Sequence, residues 1–271
     1  MRTVSDPGSQ AIQEMFNALA NRYDLFNHLT TLGLDNLWRR KALEPVSAGM
    51  RVLDLGCGTG DLALGVAKRL GKQGEVVGLD FSENMLKVAQ RRFDTSGYPM
   101  KGRFRLVQGR AEDIPFEEKP YDLVVSGFVL RNIHENIGTI LRGVYASLKG
   151  GGQISFLDFT EPPGKWRLGL WKFYMNVVAA LYGRFLFGKQ FPEFYMTRSA
   201  ERFLKAPEFI AMLERSGFES VRVQKFMMGI IVLYQARKPE ATPLSSPGQA
   251  TSRLFPLETT LSPPECVGGS H

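Results

Sequence analysis

Short apolar runs alternate with amphipathic segments of helical period through the middle of the chain. Five mostly apolar runs are typical of buried strands, at 50–55, 75–80, 104–108, 121–126 and 153–159. Segments with apolar residues three and four positions apart separate them and predict helices at 61–70, 83–93 and 135–148. Glycines predict a turn at 149–152. This alternation predicts a doubly wound parallel sheet of the α/β class.

The hydrophobic pattern also predicts elements on both sides of this core. Helices are expected before it, at 11–20 and 34–43, and after it, at 207–216. Two apolar runs follow the last helix, at 220–226 and 230–236. Because only a short connection joins these two runs, they are expected to pair as an antiparallel hairpin.

These elements predict one domain over 11–238, with N-terminal helices in 11–44. The strand–helix alternation breaks at 161–205, which is dense in aromatic residues and is interpreted as a helical insertion. Residues 1–10 and 239–271 carry no periodic apolar pattern and are predicted to be disordered.

Composition and charge narrow the functional classes. Hydrophobic residues make up 44% of the chain, which is enough for a sizeable core, and two cysteines provide neither a disulfide framework nor a metal-ligand spacing. The net charge is +7, and 161–205 contains eight Lys or Arg against three Glu. Such an excess suits nucleic acid, an anionic membrane surface or a solvated face. No apolar stretch is long enough to span a bilayer and no signal peptide is evident, so a cytoplasmic location is expected.

A glycine loop follows the first predicted strand and indicates a nucleoside-like ligand. Gly56, Gly58 and Gly60 allow a sharp turn into the next helix and a close approach of the backbone to a ligand. A dinucleotide fingerprint would continue with another glycine, but Asp61 stands there, and a carboxylate would repel a pyrophosphate. Together with Asp54 it favours a cationic ligand, such as the sulfonium and ammonium groups of S-adenosyl-L-methionine. A plain tight βα turn is the structural alternative.

Further candidate cofactor residues follow the loop and the neighbouring strands. Asp80 ends the second strand, where a carboxylate can accept hydrogen bonds from a ribose diol. Met85 could pack on adenine or belong to the core, and both interpretations stay open. The remaining candidates lie in the loop or directly after strands: Thr59, Phe81, Arg110, Ala111 and Gly127.

Four segments carry a resemblance to a known family. They are MFNALANRYDLFNHLTTLGLDNLWRR at 15–40, LDLGCGTGDLAL at 53–64, VLRNIHE at 129–135 and LKGGGQISFLDFT at 148–160. Across about residues 12–238 the chain resembles the quinone-biosynthesis C-methyltransferases, which methylate demethylmenaquinol or a polyprenyl-methoxy-benzoquinol. The resemblance implies the class I S-adenosylmethionine-dependent methyltransferase fold: Rossmann-like, with a mostly parallel seven-stranded sheet and a closing antiparallel strand.

The chain departs from the family pattern at the ligand-facing ends of strands. Arg110-Ala111 stands where the family has Asn-Ala, and Gly127 aligns with a Ser. Asp35 stands where the family usually has a His before the Trp. Asp158-Phe159-Thr160 stands where the family has Glu-Phe-Ser. Which quinol is methylated therefore stays open.

Methylation of a ring carbon requires a nucleophilic phenolate, and the resemblance suggests the residues that would produce it. Arg131 is the candidate for stabilising the phenolate, and Asn132 for orienting the ring substituents. Tyr23 and Asp24 are expected to close over the site, with Asp24 or a water accepting the proton. No metal is expected. The alternative for Arg131 and Asn132 is a helix start, with Asn132 as the cap of the following helix.

The expected substrate determines the expected partners. The aromatic insertion suggests a channel for a polyprenyl tail, and its basic charge suggests peripheral contact with the inner face of the cell membrane. No nucleic acid is expected, and a homo-oligomer is compatible with the sequence. Two alternatives remain open: another small-molecule methyltransferase acting on a lipid or phenol, and a nucleotide-binding module without methyl transfer.

Overall fold

A computed structural model describes residues 9–100, 102–115, 119–188 and 204–240. Residues 1–8 and 241–271, which make up most of the two segments predicted to be disordered, lie outside the described residues. The described chain forms a seven-stranded sheet with the order β3-β2-β1-β4-β5-β7-β6. The strands are β1 Arg51–Leu55, β2 Glu75–Asp80, β3 Phe104–Gln108, β4 Tyr121–Gly127, β5 Leu148–Phe159, β6 Glu219–Phe226 and β7 Ile231–Arg237.

Pairing within the sheet confirms the predicted fold class. Strands β1 to β5 pair in parallel, in the order expected of a doubly wound sheet. Strand β7 runs antiparallel to both β5 and β6, so the antiparallel strand lies between two others rather than at the edge. All five residues of β1 are buried, because helices cover both faces of the sheet there.

Nine α-helices are described. They are α1 Ser9–Leu19, α2 Tyr23–Thr30, α3 Asp35–Ala42, α4 Asp61–Leu70, α5 Glu83–Ser96, α6 Ile137–Ser147, α7 Lys165–Phe173, α8 Ala180–Phe187 and α9 Ala206–Arg215. Alternate residues of β7 face opposite layers. Tyr234 joins the core under α6 and α9, whereas Leu233 joins the core that contains Trp38 of α3 and Trp171 of α7.

The N-terminal region contains one helix more than the sequence pattern predicts. Helix α2 was missed because its inner face buries Asn27 and Thr30 beside Phe26, so no continuous apolar stripe marks it. The Thr30 hydroxyl donates a hydrogen bond to the Phe26 carbonyl oxygen at 2.8 Å. Helix α1 begins at Ser9, so the prediction of disorder was wrong for residues 9–10.

Two further local predictions differ from the structure. Residues 149–152 belong to β5 rather than to a free turn, because the Gly151 and Gly152 backbone pairs with the chain after β7 at Lys238. The helix expected from residue 135 begins at Ile137, after two short 3-10 turns.

Residues 165–187 of the aromatic insertion are helical. Helices α7 and α8 are continuous with each other through a π-helical segment, Tyr174–Ala179. Residues 189–203 lie outside the described residues. Within the described part of the chain, no helix combines the length and apolarity needed to cross a membrane.

Candidate active site

The carboxyl ends of four adjacent strands bring the predicted cofactor residues to one edge of the sheet. Asp80 ends β2, Asp54 lies near the end of β1, Gly127 ends β4, and Asp158 lies near the end of β5. These strands are neighbours in the order β2-β1-β4-β5. Ligands of open α/β sheets bind at such an edge, where the strand order reverses direction.

The glycine loop adopts a conformation that requires glycine. Gly56, Gly58 and Gly60 all have positive φ, at 70°, 53° and 89°. A Cβ atom on Gly56 would lie 2.5 Å from a Val129 methyl group, and one on Gly60 would lie 3.0 Å from the Ala89 Cβ. The loop is therefore packed between the segment after β4 and helix α5, which fixes its backbone for a ligand.

Asp80 is held by the loop that it faces. Its two carboxylate oxygens accept hydrogen bonds from the backbone N–H groups of Gly58, at 2.8 Å, and Ser82, at 2.9 Å. Burial raises its pKa to about 6, although these hydrogen bonds oppose the rise. Each carboxylate oxygen can accept a second hydrogen bond, so the geometry is compatible with the predicted contact to a ribose diol.

Asp54 is a buried carboxylate without a close partner. It is 1% exposed, and neither oxygen accepts a well-formed hydrogen bond from the described residues, although the Ala63 N–H faces the group. Burial raises its pKa to about 7. A buried, unpaired carboxylate is costly unless a cation neutralises it. This observation fits the ammonium or sulfonium group of S-adenosylmethionine.

Helix α1 covers the side where adenine was expected. Phe16 of α1 and Ala20, just after the helix, pack on Met85, which is only 2% exposed, and Phe81 and Tyr23 join the same cluster. The Tyr23 ring packs edge-on against Phe16, with 5.7 Å between ring centroids. Met85 therefore belongs to a core cluster in this structure, as the structural alternative anticipated. The cluster would border an adenine ring bound beside Phe81.

Asp24 connects helix α2 to the glycine loop. Its Oδ1 accepts a hydrogen bond from the Thr59 hydroxyl at 2.5 Å, and its Oδ2 lies 2.8 Å from the Arg92 guanidinium. Burial raises the pKa of Asp24, and the negative charge of Asp61 raises it further, against the opposing effects of Thr59 and Arg92. The sequence did not indicate Arg92, because it lies 68 residues from Asp24.

Asp61 has a different role from the one predicted. Its oxygens contact Arg92 at 2.7 Å and Arg39 at 3.3 Å. Burial alone would raise its pKa, but the two guanidinium groups outweigh burial and lower the pKa. The interpretation that Asp61 flanks a cationic ligand does not match this arrangement, because protein cations already neutralise it. Asp54, whose oxygens have no hydrogen-bond partner among the described residues, stays the candidate for that role.

Arg131 forms a buried ion pair. Its Nη1 lies 2.8 Å from Asp158 Oδ1 and donates to the Phe128 carbonyl oxygen at 2.9 Å, and its backbone N–H donates to Asp158 Oδ2 at 3.2 Å. The two side chains are 2% and 0% exposed. Burial raises the pKa of Asp158 although Arg131 opposes the rise. The expectation that Arg131 stabilises a substrate phenolate does not match this arrangement, since its side chain is buried and paired with Asp158.

The ion pair supports a strained turn at the end of β4. Phe128 has φ 64°, the left-handed region that side chains disfavour, and its N–H donates to the Leu157 carbonyl oxygen at 2.7 Å. Such strain persists where the surroundings enforce it and is frequent at functional sites. The turn continues into the 3-10 segment that contains Asn132, which is half-buried. Asn132 does not cap α6, whose N-cap is Asn136.

The remaining predicted residues lie at the rim of the sheet edge. Arg110 is 53% exposed and lies 3.5 Å from Glu112, and Ala111 packs against the central core. Gly127 leaves room for Leu62, since an added Cβ would lie 2.9 Å from a Leu62 methyl group. A Ser at this position would crowd Leu62. No group of three or more His, Cys, Asp or Glu side chains in the described ranges is arranged to hold a metal ion.

Comparison with known sequences gives a consistent result. A model of the ubiE/COQ5 methyltransferase family matches residues 4–238. A demethylmenaquinone methyltransferase from Desulfitobacterium hafniense (strain Y51) is 37% identical over 235 residues, covering 84% of this chain and 90% of that protein. A second protein of that name, from Lactiplantibacillus plantarum, is 34% identical over 221 residues, covering 80% and 92%.

Solved structures with little sequence similarity share the fold. A SAM-dependent methyltransferase from Aquifex aeolicus has a TM-score of 0.54 at 18% identity, covering 73% of this chain and 88% of that chain. The cyclase SpnF has a TM-score of 0.63 at 15% identity, covering 87% and 97%. Because one of these neighbours is named as a cyclase, the fold alone does not determine the reaction.

Proposed function

The chain belongs to the ubiE/COQ5 methyltransferase family, and we propose that it methylates a ring carbon of demethylmenaquinol to give menaquinol. It is an S-adenosylmethionine-dependent methyltransferase, as its family and relatives are. The observation that carries the choice of substrate is the 37% and 34% identity to two demethylmenaquinone methyltransferases over at least 90% of their length. That relationship favours a naphthoquinol over the benzoquinol precursor of ubiquinone.

The strand ends supply the residues that would hold the cofactor. Asp54 would face its cationic amino acid end, Asp80 would accept hydrogen bonds from the ribose, and Phe81 would border the adenine. The backbone of the glycine loop would lie against the rest of the cofactor. When bound there, S-adenosylmethionine supplies an electrophilic methyl group. The remaining chemistry falls to the protein, which must hold the quinol ring in line, exclude water and accept a proton.

Asp24 is our candidate for the proton acceptor. Its raised pKa makes it a stronger base than an ordinary carboxylate, and a base works best when its pKa approaches the operating pH. Its bond to Thr59 places it beside the glycine loop, where it could receive the hydroxyl proton directly or through a water. Tyr23, its neighbour on α2, would close the adenine end of the site.

Arg131 is proposed to position other groups rather than to contact the phenolate. Its ion pair with Asp158 holds the turn that contains Phe128 and presents Asn132 at the strand edge. Asn132 would then orient the oxygen substituents of the quinol ring. This assignment explains why a buried and costly ion pair is kept beside the cofactor loop.

The polyprenyl tail of such a substrate resides in a lipid bilayer. We therefore propose that the protein acts as a peripheral protein at the inner face of the cell membrane. Helix α8 packs beside α2, and its Phe187, which contacts Phe26 edge-on, would border the tail. A homo-oligomer remains compatible with this arrangement.

Complementation tests the proposed substrate. The full chain would be expressed in a bacterial strain that lacks demethylmenaquinone methylation, and the extracted quinones would be separated and identified by mass. We expect menaquinone to reappear, and we expect Asp24→Asn to reduce its amount while leaving the protein level unchanged. Persistence of demethylmenaquinone, despite a folded protein that binds S-adenosylhomocysteine, would exclude this quinol as the substrate.

A further inference from the structure

The continuous helix formed by α7, the π-helical segment and α8 has an apolar outer surface. Six large apolar side chains recur on it every three or four residues. They are, with their exposed fractions, Trp166 64%, Leu170 53%, Phe173 62%, Val177 41%, Leu181 65% and Phe185 86%. We call these six residues the outer stripe. Single exposed apolar residues are common, but a continuous row of this kind marks an interaction site.

The opposite side of the same helix is also apolar and is already used. Trp171, Met175 and Ala179 are at most 8% exposed and pack in one core cluster with Trp38 and Leu233. The outer stripe is therefore not needed to attach the helix to the sheet. A helix that is apolar on two sides normally has a second apolar medium against one of them.

Two tight turns beside the helix also present apolar side chains. Leu32 is 77% exposed with φ 52°, and Met227 and Met228 are 45% and 51% exposed with φ 46° and 56°. Left-handed backbone is disfavoured for these residues, so glycine or a polar residue such as Asn would be the simpler choice at a solvated turn. The two turns therefore expose apolar side chains at positions where the backbone conformation disfavours them.

Both turns lie beside the continuous α7–α8 helix. The Tyr174 hydroxyl donates a hydrogen bond to the Thr30 carbonyl oxygen at 3.0 Å, which brings the turn at Leu32 beside the middle of the helix. A Cβ placed on Gly229 would lie 3.2 Å from Pro163, so the turn of Met227 and Met228 lies beside the start of α7. The outer stripe and the two turns together are called the docking face below.

The charge around the outer stripe favours an anionic partner. The basic residues Lys165 and Arg167 stand at the start of α7, on either side of Trp166, and residues 162–188 contain no acidic residue. A symmetric contact between two copies would place these like charges against each other, because both copies would use the same patch. An anionic lipid surface would instead attract them.

We propose that the docking face binds the surface of an anionic lipid bilayer, with the α7–α8 helix lying parallel to it. The aromatic and aliphatic side chains of the outer stripe would enter the boundary between headgroups and acyl chains, and the basic residues would contact lipid phosphates. The benefit to catalysis rests on the proposed function, since a bilayer-resident prenyl tail would then reach α2 and the strand edge without leaving the lipid.

Vesicle co-sedimentation of the full chain, without substrate or cofactor, tests this proposal. We expect binding to vesicles that contain phosphatidylglycerol, and weaker binding to vesicles of phosphatidylcholine alone. The double variant F173S/L181S should weaken binding about a hundredfold, because it removes two large apolar groups from the lipid. The variant K165Q/R167Q should weaken binding to the anionic vesicles about thirtyfold.

Matched controls keep the outcome specific. The variant R142Q/R215Q removes two exposed charges from α6 and α9, on the other face of the sheet, and should bind vesicles like the unchanged protein. Unchanged binding of F173S/L181S, or equal losses in the two charge variants, would overturn the proposal. So would a concentration-dependent dimer that F173S/L181S abolishes, in a protein that does not bind vesicles.

Failure of this proposal can be separated from failure of the proposed function. Methylation of a short-tailed, water-soluble quinol does not require a membrane, so F173S/L181S should retain it within a few-fold if the variant is folded. A protein that binds vesicles in the expected pattern but methylates no quinol would contradict the proposed function and leave the docking face supported.

Discussion

The Thr59 hydroxyl donates a 2.5 Å hydrogen bond to the carboxylate of Asp24, and this contact joins the N-terminal helices to the cofactor loop. Arg92 reinforces the contact, since one guanidinium nitrogen reaches both Asp24 and the Thr59 carbonyl oxygen. Opening of the N-terminal helices over the loop would have to break these bonds. The carboxylate that we propose as the proton acceptor therefore also joins the N-terminal helices to the loop.

The variant Asp24→Asn should lower the rate of methyl transfer by about a hundredfold or more, the usual loss when a general base is removed. Its affinity for S-adenosylhomocysteine should change only a few-fold, because the amide can still accept the Thr59 hydrogen bond. Single-turnover kinetics and calorimetry measure the two quantities separately. A variant that loses affinity and keeps its rate would show that Asp24 only closes the site.

Binding of S-adenosylmethionine should release a proton from Asp54 near pH 6. The pKa of this carboxyl is about 7 in the free protein, and a bound cation lowers it, so the ionised form is favoured in the complex. Affinity should therefore rise with pH up to about 7 and then level off. Calorimetry in two buffers of different ionisation enthalpy counts the protons released. Asp54→Asn should abolish the part of the release that belongs to this group, whereas Asp80, with a pKa of about 6, would account for any remainder.

Ionisation of the Asp54 carboxyl should lower the folding stability as the pH rises. Because the pKa of Asp54 is raised from 3.8 to about 7 on folding, the folded state binds its proton more tightly than the unfolded state. Stability should therefore decrease as the pH rises from about 4 to 7. Asp54→Asn should remove this decrease and unfold at a higher urea concentration than the unchanged protein at pH 8. A lower midpoint for the variant would show that the ionised carboxylate has a favourable partner.

Breaking the Arg131–Asp158 pair should destabilise the fold strongly. Either Arg131→Met or Asp158→Leu leaves a buried charge without its partner and should cost about 3–5 kcal/mol. The double variant should recover much of that loss, because no unpaired charge remains. Urea denaturation of the four proteins gives the coupling energy. Additive losses would mean that the two groups act independently.

The activity of the Arg131 variants tests the positioning role. The double variant Arg131→Met/Asp158→Leu should fold but transfer methyl groups poorly, because the turn before Asn132 has lost its anchor. Arg131→Lys should retain part of the activity, since an ammonium can still pair with Asp158. A folded double variant with full activity would contradict the role given to this pair.

Replacing Gly56 with alanine should destabilise the fold more than replacing Gly58 with alanine. Gly56→Ala would place a Cβ 2.5 Å from a Val129 methyl group, an overpacking that costs about 1–3 kcal/mol. Gly58→Ala meets open space and suffers only the strain of its φ of 53°, about 1 kcal/mol. Thermal denaturation checks the order, and Gly56→Ala/Val129→Ala should recover part of the loss. Equal effects at the two positions would mean that contact with Val129 does not limit the loop.

The centre of the sheet could be predicted from sequence because β1, β2 and β4 are short, mostly apolar and buried along nearly their whole length. The bounds of β2 and β3 and of helix α4 were predicted to the residue, since glycines, Asp61 and Ser82 mark their ends. Helix α2 could not be recognised, because its buried face includes the polar residues Asn27 and Thr30. Tertiary packing, rather than a local pattern, makes this segment helical.

The site was predicted in part for a related reason. Loop glycines and strand-end carboxylates have fixed places in the sequence of an α/β fold, so Asp54, Gly56 and Asp80 could be named. Ion pairs that join distant segments have no local signal. Asp61 therefore looked like a ligand-facing carboxylate, although Arg39 and Arg92 neutralise it.

Methyl transfer measured with purified protein tests the central claim most directly. Demethylmenaquinol and S-adenosylmethionine with a deuterated methyl group would be incubated with the full chain, and the product identified by mass and by its ring-proton spectrum. We predict a deuterated methyl group on the ring carbon that carried hydrogen, and less product with Asp24→Asn. A methyl group on a quinol oxygen, or no product from a folded protein that binds S-adenosylhomocysteine, would contradict the proposed function.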